Sequence, residues 1–100
     1  MVINDLEQLC KVVTFQGFNE ILEKIYPAAL EKALNGAKTW QDLDYDDLDF
    51  VETIMHMESK FNIAIHDELA SVLENMNFCD FYSKIDVRKI RNDKLEQLGI

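Results

Sequence analysis

Residues 40–65 read WQDLDYDDLDFVETIMHMESKFNIAI, an acidic loop feeding one amphipathic helix. A helix that starts near Asp46 or Asp47 places several acids where free backbone N–H groups and the positive end of the macrodipole favour negative charge. At about 100° per residue, Phe50, Ile54, Met57 and Phe61 fall on one stripe, the natural core face. Leu48, Val51 and Met55 fall on a second stripe, flanked by Asp47 and Glu58 on one side and Glu52 on the other. Asp49, Thr53, His56 and Lys60 are expected on the remaining, wet face.

A helix in so small a domain needs one apolar stripe for its own core. The second stripe is therefore either a docking strip with an acidic rim or a second buried face. The 100 residues suit a single domain, 1–100, with 48% apolar residues, three Gly and one Pro. That composition favours an ordered, all-α bundle over disorder. No apolar run is long enough to span a bilayer, and MVINDLEQL lacks a basic region followed by an apolar core, so no signal peptide, membrane span or membrane partner is expected. Cys10 and Cys79 are isolated and read as reduced thiols of a cytoplasmic protein, filling apolar positions.

The formal net charge is −9, and its distribution is uneven. Residues 42–68 hold nine acids against one base, Lys60, whereas half of the ten basic residues lie between Lys84 and Lys94. An acidic centre repels nucleic-acid phosphates and attracts a partner protein with a basic surface. The commoner reading of any charged face is simple solvation.

In chain order, Asn4 and Glu7 have capping-box spacing, and Val2, Leu6, Leu9 and Val13 share a face, which predicts a first helix over about 4–15. Gln16 and Gly17 break that pattern, Gly17 being the punctuation. A second segment from Asn19 groups Phe18, Ile21, Leu22 and Ile25. Pro27 ends it, kinks it or opens the next segment, so 18–35 is one bent helix or two short ones. Asn35 and Gly36 form a stop. Beyond the central helix, a short helix over Asp67 to Glu74 is expected to close on the core through Leu69, Val72 and Leu73. Another, capped by Asn77 or Asn75, presents Phe78, Phe81, Tyr82 and Ile85. Residues 86–100 read as a basic C-terminal extension forming a last helix capped by Asp86.

The central segment resembles the acyl carrier protein family, whose longest signature is D-S-L-D-x-V-E, followed by E-x-x-F and I-x-I-P-D. Asp46-Asp47-Leu48-Asp49-Phe50-Val51-Glu52 fits it at every fixed place except one, and Glu58, Phe61, Ile63, Ile65 and Asp67 continue in register. Upstream, Thr39-Trp40-Gln41-Asp42-Leu43 is similar to the family's S-F-x-E-D-L lead-in. The likeness spans about 37–85, an acyl carrier-like core with a longer N-terminal region. It implies a small acidic helical bundle and a partner-recognition role for the central helix. The candidate partner-binding residues are Asp46, Asp47, Leu48, Asp49, Val51, Glu52, Met55 and Glu58. The exception is chemical: the family's serine is esterified with phosphopantetheine, and Asp47 stands in its place, while His66 replaces the turn proline. A carboxylate offers no hydroxyl for that group, so no cofactor and no acyl cargo are expected.

Other chemistries fit less well. Asp42, Asp44 and Asp46 match the first three ligand positions of a calcium loop, but its glycine and glutamate positions are Asp47 and Thr53. His56 and His66 have no partner at ligand or triad spacing, and no phosphate loop or nucleophile elbow is present, which argues against an enzyme. Two functions remain. One is a carrier-like interaction module without cargo, acting as decoy, adaptor or structural subunit. The other is a small acidic inhibitor, such as an immunity, antitoxin or anti-defence protein, that blocks a basic site.

Overall fold

The central helix forms where the sequence places it. Asp46 accepts the Asp49 N–H at 2.9 Å, and Asp49 accepts the Asp46 N–H at 3.0 Å, a reciprocal capping box. The helix ends at Asn62, whose φ of 55° puts it in the left-handed region that terminates helices. The structure is a computed structural model that describes residues 1–86. From residue 87 on, the expected basic extension and its helix lie outside the described residues.

The order of elements is β1 (Val2–Ile3), α1 (Leu6–Val12), α2 (Phe15–Ile25), α3 (Pro27–Leu34), a 3-10 turn (Gln41–Leu43), α4 (Asp47–Phe61), β2 (Ala64–Ile65), α5 (Asp67–Asn75) and α6 (Phe78–Ile85). The fold is an all-α bundle, as expected, with one minimal parallel pairing of β1 on β2. Residues 18–35 resolve into two helices. Pro27 takes the first position of α3, where its missing N–H costs nothing. Gly36, at φ 97°, supplies the stop after Asn35.

The core is aromatic. Phe18, Phe78 and Phe81 are fully buried. Trp40 packs with ring centroids 5.0 Å from Phe78 and 5.1 Å from Phe50. Its Nε1–H donates to the Leu73 carbonyl at 2.8 Å, which satisfies the one polar atom of the ring and ties the loop before α4 to α5. The helices α2 and α4 lie antiparallel: Gly17 faces Phe61, Glu20 pairs with Lys60, and Tyr26 donates to Asp49.

Four expectations are corrected. The first helix does not run from 4 to 15. Ile3 is fully buried in an extended segment, and the Ala64 N–H donates to the Met1 carbonyl at 2.8 Å while the His66 N–H donates to Ile3 at 3.1 Å. Asp5 rather than Asn4 then caps α1, accepting the Gln8 N–H. The chain breaks at Val13, not at Gly17: Thr14 caps α2 through the Gly17 N–H, and Gly17 lies inside the helix, where a Cβ would meet Phe61 Cζ at 2.8 Å. Thr53, expected on the wet face, is fully buried, and the cost of burying its hydroxyl is offset by hydrogen bonds with the Tyr45 hydroxyl at 2.8 Å and the Asp49 carbonyl at 2.9 Å. Val72 is half exposed, since α5 turns Leu69 and Leu73 to the core and leaves Val72 outside.

Candidate functional site

The two stripes of α4 separate in the fold. Phe50 and Met57 are buried, Ile54 and Phe61 are half-buried, and Leu48, Val51 and Met55 are 72%, 49% and 61% exposed. Three large apolar side chains thus stand in solvent on one edge of a single helix, an arrangement associated with contact surfaces. Beside them runs a groove of about 320 Å³ between α4 and α5, with Ile54, Ile65 and Ala70 in its lining and Glu58, Asp67 and Glu74 around it.

The acids around the strip divide by what they already hold. Asp46 and Asp49 are committed to the capping box, and Asp49 also accepts the Tyr26 hydroxyl at 2.9 Å. The hydrogen bond from the Asp46 N–H, with Tyr26 adding to it, holds the Asp49 carboxyl below the usual aspartate range. Glu58 accepts the Ile65 N–H at 2.8 Å and so fastens α4 to β2. By contrast, the carboxylates of Asp47 and Glu52 are exposed and take no hydrogen bond or ion pair among the described residues. They are the rim charges free to meet a cation.

Asp47 occupies the first position of α4, at the edge of a crevice of about 160 Å³ formed with Trp40, Tyr45 and Phe50. Tyr45 is buried against Trp40, with ring centroids 5.9 Å apart, and burial pushes its hydroxyl up to about 12. Upstream, the three aspartates with calcium-loop spacing do not converge on one centre. Asp42 accepts the backbone N–H groups of Lys38 and Thr39, which lowers its pKa, Asp44 pairs with Lys32, and Asp46 caps α4. Each serves the loop's own geometry.

Sequence reasoning brought the strip and its acids together on one surface, as the structure does. It did not anticipate the roles of Tyr26, Tyr45 and Thr53 in fixing the start of α4. Their partners are separated by 8 to 23 residues and follow no period.

The sequence is 44% identical over 57 residues to the acyl carrier protein of Buchnera aphidicola subsp. Schizaphis graminum, a match covering 57% of this chain and 72% of that protein. It is 34% identical over 83 residues to the acyl carrier protein of Karelsulcia muelleri, covering 76% of this chain and 95% of that one. No family model matches the chain, and no solved structure does.

Proposed function

The chain belongs to the acyl carrier protein family, and from that premise we propose that it is a carrier-like interaction module that has lost its cargo site. It docks a basic partner protein through α4, as decoy, adaptor or structural subunit. The observation that carries this reading is the exposed strip of Leu48, Val51 and Met55 with the uncommitted carboxylates of Asp47 and Glu52 beside it. Burial of those apolar side chains by a partner supplies affinity, and the rim acids supply orientation and encounter rate.

The prosthetic group of the family does not fit the residues here. At the start of α4 the side chain is a carboxylate, Asp47, with no hydroxyl to be esterified. The next serine along the helix is Ser59, roughly 18 Å away at 1.5 Å per residue. The negative charge of Asp47 stands where the family would carry a phosphodiester, so a partner's cation still meets an anion.

Competition tests the proposal. The protein, added to a phosphopantetheinyl transferase loading an ordinary acyl carrier protein, is expected to slow that loading. Leu48→Ala combined with Met55→Ala should weaken the inhibition by about tenfold or more, the loss of one hot-spot contact. Absence of inhibition contradicts the proposal. Inhibition that ignores both substitutions but disappears in salt points instead to the small acidic inhibitor acting by diffuse charge.

A further inference from the structure

A further cavity of about 260 Å³ opens between α2 and α4, lined by Glu20, Ile21, Lys24, His56, Ser59 and Lys60. Its composition runs against the chain's net charge of −9. Ile21, 3% exposed, is the apolar floor, and the other five side chains are polar. The antiparallel helices place Glu20 and Lys24, one turn apart on α2, against Lys60 and His56, one turn apart on α4.

The charges there do not cancel. Glu20 lies 3.0 Å from the Lys60 ammonium and neutralises it. Lys24 joins none of the ion pairs among the described residues. One positive charge remains, together with the Ser59 hydroxyl, an imidazole N–H of His56 and the N–H groups of Lys60 not spent on Glu20. Donors therefore outnumber acceptors in the lining, where Glu20 is the one carboxylate.

We propose that this cavity is an oxyanion site, taking one phosphate or carboxylate group between Lys24 and Ser59, with His56 and Lys60 as further donors. The volume is equivalent to about eight or nine waters at about 30 Å³ each, enough for such a group with part of its hydration. The site shares no residue with the Leu48, Val51 and Met55 strip, so it stands or falls separately from the docking proposal. Because it is open to solvent, binding is expected to be weak, with Kd of the order of millimolar at low salt.

The experiment is a titration of the full chain, followed by the NMR signals of the His56 ring, with inorganic phosphate in one arm and acetate in another at constant ionic strength. A saturable His56 shift is expected while His66 stays unmoved. Lys24→Met and Ser59→Ala should each weaken binding by about fivefold or more, as for one lost hydrogen bond to a charged group. Lys38→Met, outside the cavity, should leave binding unchanged. Saturation by phosphate alone assigns a phosphate site, and saturation by acetate as well assigns one that takes a carboxylate. No saturable shift with either anion, or equal weakening by Lys38→Met and Lys24→Met, overturns the proposal, since the latter pattern is general charge screening.

Discussion

A helix with one stripe in the core and one in water should respond very differently to the same truncation on its two faces. Met57 is 1% exposed, so Met57→Ala removes a fully buried side chain and leaves a cavity, which costs about 2 to 5 kcal/mol. Leu48, 72% exposed in the same helix, has little burial to lose, and Leu48→Ala should change stability by no more than about 0.5 kcal/mol. The two substitutions share one helix and one end product, Ala, so differences in helix propensity are small. Urea unfolding reads the contrast. With a slope of about 1.5 kcal/mol per M for a domain of this size, the midpoint should fall by about 1 to 3 M for Met57→Ala and by less than about 0.4 M for Leu48→Ala. Comparable losses at both positions would mean that both stripes are buried and would refute the separation on which the docking surface rests.

Gly17→Ala is expected to destabilise, against the intrinsic helix preference for Ala of about 1 kcal/mol. The new Cβ would lie 2.7 Å from Thr14 Oγ1 and 2.8 Å from Phe61 Cζ, so it must displace the cap of α2 or the ring at the end of α4. A net loss of about 1 to 2 kcal/mol in urea unfolding follows from typical overpacking and capping costs, and a gain in stability would contradict it. At alkaline pH, Tyr45 provides a second test. Its folded pKa is raised to about 12 by burial, so the stability it contributes is fully present below its ordinary pKa of about 10 and is lost as pH rises through the folded value. Thermal unfolding should therefore weaken between about pH 10 and 12 and weaken less in Tyr45→Phe, by up to about 2 to 3 kcal/mol. An identical alkaline loss in the variant would remove Tyr45 as the cause.

The features legible from sequence were those written in local or periodic form. The acid-rich start at Asp46 and Asp47, the apolar spacing of Phe50 and Met57 and the glycine at 36 each act within one or two turns of chain and took their expected places, while Pro27, open between three roles in the sequence, took the first position of α3. The misread features depend on partners far away. Val2 fits the helical face of Leu6, Leu9 and Val13 as well as a strand, and only the pairing of Val2 and Ile3 with Ala64 and Ile65 decides between them. Gly17 resembled a helix break because its true constraint, Phe61, lies 44 residues on. Thr53 resembled a solvent residue because its burial depends on a hydroxyl partner, Tyr45, in the preceding loop. The same limit applied to the candidate site. The acid residues were identified, but their division into committed and free carboxylates needed the fold, since Glu58 is occupied by the Ile65 N–H and Asp49 by Tyr26.

The central claim, a carrier fold that keeps its recognition surface without its cargo site, is tested most directly by intact mass after co-expression with a phosphopantetheinyl transferase. No mass gain is expected on the natural chain and a gain of one phosphopantetheinyl group on Asp47→Ser, whose new hydroxyl would stand at the first position of α4. A gain on the natural chain would contradict it by showing that the protein still carries the group, and no gain on Asp47→Ser would contradict it by showing that the α4 surface is not recognised by the carrier system.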